Sequence, residues 1–301
     1  MGSHLYHDTA VVLRTYKLGE ADRIVVLLTE EHGKVRAVAK GVRKTKSKFG
    51  ARLEPMSHVK VLMAEGRELD IVSQADAVET LAPMLADLDH VTAGMAVLEA
   101  ADQMTLDREP VPHLYRMVVG ALRTIAERHG PLVVPSFYWK LLSVEGVRPE
   151  LDVCVRCGDE GPMAAFDMDQ GGVLCRGCRT GAPLSDEALE LMRMILGGRL
   201  NDALATPASK VTHEVAGHAT RALEHHLERA AAGVTQAELR RSAATDTLTS
   251  TKEAVLQAVA ALQRELQRAE DRLVLVPRQV KRRVRRQRKG IVGQAEMLED
   301  G

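Results

Sequence analysis

Four regularly spaced cysteines are the residues of this chain best suited to chemistry. Cys154, Cys157, Cys175 and Cys178 follow the pattern C-x2-C-x17-C-x2-C, and the 301-residue chain contains no other cysteine. Two residues between the members of each pair let both thiolates face a single ion, and the spacing falls within the range of four-cysteine zinc sites. The sequence therefore predicts one bound Zn2+ ion.

The predicted zinc ion is structural rather than catalytic. Four thiolates fill a tetrahedral coordination shell, so no position remains for water or a substrate. Two disulfides are the competing interpretation, but cytosolic thiols stay reduced, and the N-terminus lacks the pattern of a signal peptide. A thioredoxin-type redox site would need a βαβ setting, which is absent around the cysteines. We expect the metal to attach a small knuckle to a helical domain.

Other motifs that resemble catalytic sites do not have the required spacing. His213 and His218 flank Glu214 at i and i+5, whereas a zincin helix needs two histidines at i and i+4. His226-Leu227-Glu228 follows the cysteine pairs, whereas the H-x-E of nucleobase deaminases precedes its cysteines. His225 and His226 are therefore expected on an exposed helix surface. The sequence predicts no catalytic residues.

The elements that must position the cysteines change character along the chain. Five short apolar or alternating stretches in the first eighty residues predict strands and a small barrel of the OB type: Thr9–Tyr16, Arg23–Glu30, Lys34–Lys40, His58–Ala64 and Leu69–Ser73. Helical periodicity then predicts further elements: Val91–Met104, His113–His129, Ser136–Val144, a helix starting at Ser185, Thr212–Arg229 and Thr249–Leu273.

The fold class expected from this order is α+β: an N-terminal five-stranded OB-fold β-barrel followed by an α-helical domain with an inserted four-cysteine zinc module. The expected domains are residues 1–80 (barrel), 81–150 (helical, first part), 151–183 (zinc module), 184–232 (helical, second part) and 233–301 (a helical and basic C-terminal extension).

Charge is distributed unevenly, although the 41 basic and 41 acidic residues cancel. Residues 34–52 contain eight basic and no acidic side chains, and residues 278–289 contain eight more basic ones. Local patches rather than mean charge attract polyanions. The segment from Gly41 to Gly50 is expected to be a flexible cationic loop that follows a phosphate backbone, with a solvated loop as the alternative. Nearby aromatic residues are few (Tyr6, Tyr16 and Phe49), so limited base stacking and sequence-indifferent binding are expected.

Several of these segments resemble the bacterial DNA repair protein family RecO. The resemblance lies in Thr9 to Thr29 (a strand, then Tyr16 to Arg23), Ala39 to Lys44, Phe49 to Pro55, the cysteine pairs and His225-His226-Leu227-Glu228. It spans about residues 5 to 229 and implies an OB-fold, a helical domain and a zinc module. It also implies recombination mediation: binding of single- and double-stranded DNA, annealing of complementary strands and help in loading recombinase onto strands coated by single-strand-binding protein.

The resemblance further implies partners and binding residues. RecR and the acidic C-terminal tail of single-strand-binding protein are the implied protein partners. The DNA-binding role falls on ten cations: Arg14, Arg23, Lys34, Arg36, Lys40, Arg43, Lys44, Lys46, Lys48 and Arg52. No apolar run approaches the ~18 residues of a membrane span, so a cytoplasmic, nucleoid-associated protein without a membrane partner is expected.

Two rival functions remain open at this point. One is a zinc-stabilised protein-interaction adaptor with incidental nucleic-acid affinity, and the other is a nucleic-acid-modifying zinc enzyme. The segment beyond about Ala230 does not match the family pattern. Its basic run, Arg278 to Lys289, is interpreted as a disordered basic arm that would still add non-specific DNA affinity. A lineage-specific extension and a fused or altered reading frame are the open alternatives.

Overall fold

A computed structural model describes residues 4–79, 87–128 and 130–233 of the chain, together with residues 235, 259, 260, 263 and 264. Contacts divide the chain into two units, residues 1–228 and 229–301. The predicted helix Thr249–Leu273, apart from four helical residues, and the basic run from Arg278 to Lys289 lie outside the described residues. Within the described ranges, no helix combines the length and apolarity needed to cross a bilayer.

The N-terminal strands close into a barrel, as the sequence predicted. Its strands are β1 (Leu5–Leu18), β2 (Asp22–Thr29), β3 (Gly33–Ala39), β4 (His58–Ala64) and β5 (Asp70–Glu79). They are hydrogen-bonded in the order β1-β2-β3-β5-β4, and β4 pairs back onto β1. All neighbours are antiparallel except β3 and β5. This arrangement is that of an OB-like barrel.

Side chains at alternate positions of each strand point inward and fill the barrel. Val12, Val25 and Leu27 are among the fully buried interior residues. The predicted bounds of β4 are confirmed, whereas β1 and β5 are longer than predicted. β5 continues to Glu79 because Ala75 and Ala77 still pair with β4, although neither side of the strand is buried after Ala75.

The basic segment after β3 is an ordered cap rather than the flexible loop that was expected. Val42, Phe49 and Leu53 are at most 8% exposed and belong to the barrel core. Gly41 N–H donates to Asp22, and Arg43 N–H donates to the carbonyl of Ala21. Apolar residues spaced between the cations thus anchor the segment and leave most of its charged side chains exposed.

A helical layer covers part of the outside of the barrel. It comprises α1 (Leu88–Gln103), α2 (Pro112–Glu127) and α3 (Val133–Val144). Val11 and Leu13 of β1 and Val26 and Leu28 of β2 join the core formed by these helices. α3 begins three residues before the predicted start because Pro135 lies in its first turn, where a missing N–H removes no helical hydrogen bond.

Polar contacts join the barrel to this helical layer. The buried carboxylate of Asp70 accepts from Arg108 at 2.7 Å and from the hydroxyl of Tyr6. Burial opposes ionisation of Asp70, but its hydrogen bonds from Tyr6, Gly66 and Arg108 lower its pKa overall. On β4, the buried His58 ring contacts Glu79 at 2.6 Å and the hydroxyl of Tyr115 on α2 at 2.8 Å. The barrel and the helices therefore share both an apolar core and a network of polar contacts.

The cysteine-bearing segment forms a small sheet, β6 (Met163–Asp167), β7 (Gly172–Cys175) and β8 (Ala182–Pro183), in the order β7-β6-β8. The 17 residues between the two cysteine pairs contain the hairpin of β6 and β7 up to Cys175. Between residues 184 and 233, the described part of the chain forms three helices: α4 (Asp186–Leu196), α5 (Leu200–Leu204) and α6, residues 210–233. Ser185 caps α4 by accepting from the N–H of Ala188, which confirms the predicted start of this helix.

Candidate metal centre and nucleic-acid interface

The four cysteines meet at one point. The sulfur atoms of Cys154, Cys157, Cys175 and Cys178 all lie within 4.8 Å of one another. Cys154 and Cys175 are buried, Cys178 is partly buried and Cys157 is exposed. Four sulfur donors in a tight cluster suit a tetrahedral ion such as Zn2+, so the residues present fit the metal that the spacing predicted.

The backbone around the first pair is shaped to hold a thiolate. Gly158 adopts a left-handed φ of 75°, and its N–H donates to the carbonyl of Cys154 at 2.8 Å. N–H groups of Cys175, Cys157 and Arg156 point at the Cys154 sulfur and lower the pKa of this thiol to about 6. Hydrogen bonding to the Cys157 sulfur and burial raise the pKa of Cys178 to about 12. Four thiolates this close repel one another, and a bound cation removes that repulsion.

The metal segment shares its core with the helices. The ring centroid of Phe166 on β6 lies 5.7 Å from that of Trp139 on α3, with the two rings edge-on. It lies 5.8 Å from the ring centroid of His218 on α6. Arg156 links the two cysteine pairs, donating to the carbonyl of Cys178 at 3.1 Å and to the hydroxyl of Thr180 at 3.0 Å. The cysteine-bearing segment is therefore packed against the helical layer.

The histidines that resemble a zincin site have other roles. Glu214 accepts from both the N–H and the hydroxyl of Ser185 at the start of α4. The ring of His218 is buried and donates to the carbonyl of Pro183 at 3.0 Å, and this burial lowers its pKa. His225 is only partly exposed and bonds to Asp169 at 2.8 Å. Each of these side chains therefore connects α6 to the segment between β6 and α4.

Three of the ten predicted DNA-binding cations are paired with carboxylates. Arg14 contacts Glu99 at 2.9 Å and also Asp102, and Lys34 contacts Asp102 at 3.0 Å. Arg23 contacts Glu54 at 2.6 Å. Arg14 and Lys34 thus connect β1 and β3 to α1, where their charge is already compensated.

The other seven cations keep their charge uncompensated by any carboxylate within ion-pair distance in the described ranges. Arg43, Lys48 and Arg52 donate to backbone carbonyls of Gly19, Ser73 and Ala75, which orients the side chains without neutralising them. Arg36, Lys40, Lys44 and Lys46 are exposed. We call these seven residues the cationic patch: Arg36, Lys40, Arg43, Lys44, Lys46, Lys48 and Arg52.

The two kinds of cation should respond differently to removal of their charge. Lys34→Met leaves Asp102 with only one of its two cationic partners at a site where both side chains are at most 13% exposed. We expect the unfolding free energy to fall by an amount on the order of 2–3 kcal/mol, with little change in DNA affinity. Lys46→Met should cost less than about 0.5 kcal/mol of stability but weaken DNA binding. Urea unfolding and DNA titrations of both variants check this, and equal stability losses would contradict it.

Of the three aromatic residues near the basic segment, one is buried, one is partly buried and one is exposed. Phe49 is 1% exposed inside the barrel, and the Tyr6 hydroxyl bonds to Asp70. Tyr16 on β1 is 46% exposed. The sequence shows that three aromatic residues are present, and the barrel geometry shows that Tyr16 is the most exposed of them.

The fold and the site define an OB-barrel protein with a helical layer, a cluster of four cysteines that could hold a metal ion, and a cationic patch on the barrel. A family model described as "Recombination protein O N terminal" matches residues 1–81, and one described as "Recombination protein O C terminal" matches residues 85–233. The chain belongs to the RecO family, which confirms the resemblance seen in the sequence. Membership supports a role in DNA repair and recombination.

Proposed function

We propose that this protein is a non-catalytic recombination mediator that binds single- and double-stranded DNA and anneals complementary strands. It also assists recombinase loading onto DNA coated by single-strand-binding protein. The observation that carries the proposal is the cationic patch, whose seven side chains lie on or beside β3 and on the ordered cap. Family membership supports the DNA repair context.

Annealing requires little more than this surface can supply. Two strands repel each other through their phosphates, and cations that neutralise phosphates release counterions and reduce that repulsion. Val42, Phe49 and Leu53 anchor the ordered cap in the barrel, and this positions the backbone that carries the charged side chains. A rigid cationic surface can align strands without any bond being made or broken.

The remaining assignments of the proposal rest on the spacing of the cysteines and on the family resemblance. One structural Zn2+ is bound by Cys154, Cys157, Cys175 and Cys178, whose sulfurs are clustered. RecR and the acidic tail of single-strand-binding protein are the proposed protein partners, and the proposed location is the cytoplasm, at the nucleoid.

A second candidate, a protein-interaction adaptor, is favoured by one observation. Helices α2, α3 and α5 line a mostly apolar cavity of about 290 Å3 with Met117, Phe137, Leu200 and Leu204 in its wall and Lys140 among its polar lining. Apolar concave surfaces of this kind bind peptides or small molecules. The adaptor alternative predicts weak DNA affinity and no effect of the cationic patch.

Strand annealing measured with paired charge-reversal variants tests the proposal. Lys44→Glu/Lys46→Glu changes two exposed patch residues, and Arg116→Glu/Lys210→Glu changes two exposed cations of α2 and α6 by the same net charge. We expect the wild type and the control to accelerate annealing of complementary strands, bare or coated with single-strand-binding protein. The patch variant should slow annealing at least about tenfold, because each reversed lysine no longer neutralises a phosphate and adds repulsion.

The salt dependence of binding provides a second readout. For single strands, the slope of log affinity against log salt should become shallower by about 0.7 for each phosphate that a variant no longer neutralises. No acceleration by folded wild-type protein, or equal loss in the patch and control variants, would favour the adaptor.

A further inference from the structure

An apolar row crosses the outer face of the barrel. Strand register places Tyr16 of β1 opposite Ile24 of β2, Ile24 opposite Val38 of β3, and Val38 beside Ile71 of β5. All four side chains point outward, since their neighbours Val25, Ala37 and Val72 fill the interior. With strands about 4.8 Å apart, the row extends roughly 14 Å around the barrel.

This apolar row is open to solvent. Tyr16 is 46% and Ile71 37% exposed, and Ile24 and Val38 are partly exposed. Elsewhere on the same strands, the outward residues Val11, Leu13, Val26 and Leu28 are buried against the helices. The Tyr16 hydroxyl accepts from Arg14 at 3.3 Å, which places the tyrosine beside a residue fixed by its ion pairs to α1. The helical layer therefore stops short of a surface that is apolar and partly pre-ordered.

Residues of the cationic patch flank the row along the strands. Arg36 precedes Val38 on β3 by two residues and therefore shares its outward side. Lys40 is exposed and lies one residue beyond the end of β3. The side chain of Lys48 donates to the carbonyl of Ser73, two residues beyond Ile71. Arg43 donates to Gly19 in the turn that joins β1 to β2, three residues from Tyr16. Positive charge therefore lies close to both ends of the apolar row.

A ligand that matches this surface must carry both negative charges and flat apolar faces. Single-stranded nucleic acid has both, because its bases are free to leave their own stack and lie on a side chain. A duplex offers phosphates to the same cations but keeps its bases stacked inside. Base stacking on an aromatic ring tolerates every base, which suits a protein acting on strands of any sequence.

We propose that the row Tyr16–Ile24–Val38–Ile71 is a base-stacking surface that distinguishes single strands from duplex DNA, with Tyr16 as the stacking ring. Arg36, Lys40 and Lys48 bind the flanking phosphates. This inference rests on the proposed function and deepens it, and it assigns the limited stacking expected from the few aromatic residues to one ring.

Comparison of Tyr16→Ala with Tyr16→Phe tests the stacking ring. Binding of a single strand and of a blunt duplex of equal length is measured over a range of salt concentrations. Tyr16→Ala should lower single-strand affinity about 5- to 150-fold, change duplex affinity less than about twofold, and leave the salt slope unaltered. Tyr16→Phe keeps the ring and should retain wild-type affinity. Leu88→Ala, at a 78% exposed apolar residue of α1, serves as the control for removal of exposed apolar surface and should match wild type.

A spectroscopic variant reports the stacking directly. In Tyr16→Trp, the fluorescence of the new indole should be quenched when a single-stranded homopolymer binds and should stay unchanged when a duplex binds. Trp139, the chain's only tryptophan, is 1% exposed and should give a constant background.

Failure of this inference is distinguishable from failure of the proposed function. If Lys44→Glu/Lys46→Glu loses binding while Tyr16→Ala binds single strands like wild type, the cationic patch stands and the stacking surface is overturned. An equal loss on single strands and duplex would also overturn it. If Tyr16→Ala alters self-association in sedimentation but not DNA affinity, the row is an interface between copies. If the wild type binds neither form of DNA, both proposals fail.

Discussion

Cys154→Ser should purify with less than about a tenth of the zinc of the wild-type protein and unfold at a markedly lower temperature. Binding of a structural zinc ion releases roughly 10–16 kcal/mol in small zinc peptides, and that energy is folding energy. Only part of it will be lost here, because the helical layer has a core of its own. A decrease of several kcal/mol in unfolding free energy is the expected size.

The decrease should extend beyond the metal segment. Cys154, Cys175 and Phe166 belong to the same buried core as Trp139 of α3 and Leu189 of α4. If the cysteine cluster loosens, α3 and α4 lose part of their packing contacts in this core. Amide exchange should therefore accelerate in α3 and α4 as well as in β6 and β7.

Metal analysis and thermal unfolding by circular dichroism, with and without a strong chelator, check this prediction. Arg179→Ala changes an exposed residue next to Cys178, and it should keep both zinc and stability. Wild-type protein should contain one chelator-resistant zinc ion with four sulfur ligands, whereas a nitrogen ligand and an open position would revive the zinc-enzyme alternative. An unchanged melting curve for Cys154→Ser would show that the cluster has no structural role.

Local sequence signals predicted the parts of the fold that depend on local interactions. The spacing of the cysteines is itself a short-range pattern, and the sulfurs are found together. Ser185 predicted the start of α4 because a cap needs only the N–H three residues later. Alternation predicted five strands and hence the barrel, and this fold class is confirmed.

Ion pairs between residues far apart in the chain could not be predicted from local sequence patterns. Arg14 and Lys34 look like free cations in sequence, yet their partners Glu99 and Asp102 lie more than sixty residues away on α1. The cap resembled a flexible loop because its charges are adjacent and its three anchoring residues are spread among them. The exposure of Tyr16 depends on where the helical layer ends, which no local pattern contains.

The junction between the barrel and the helical layer depends on a glycine. Gly33 begins β3 with a left-handed φ of 70°, and a Cβ placed there would lie 1.9 Å from the carbonyl oxygen of Glu109. The segment around Glu109 is held in place, since Arg108 N–H donates to the carbonyl of Lys34 at 2.8 Å and its guanidinium contacts Asp70. Any side chain at position 33 must push this backbone away from the barrel.

Gly33→Ala should therefore lower the free energy of unfolding by more than the left-handed backbone conformation alone explains. A left-handed φ in a residue with a Cβ costs about 1–2 kcal/mol, and breaking the hydrogen bonds of Arg108 to Lys34 and Asp70 should bring the total above about 3 kcal/mol. Gly19→Ala is the matched control, because Gly19 has a φ of 59° and a Cβ added to it would meet no other atom within 4 Å. The difference between the two variants measures the steric contribution at the junction.

Urea unfolding of both variants gives this difference, and limited proteolysis locates it. Cleavage between Thr105 and Pro110 should accelerate in Gly33→Ala and stay slow in Gly19→Ala, because only the former displaces that segment. Equal destabilisation of the two variants would mean that the segment moves aside freely and that the close approach at Glu109 does not hold the helices against the barrel. A larger loss in Gly33→Ala would show that the close approach at Glu109 sets their relative position, which in turn determines how much of the barrel's outer face remains open beside Tyr16.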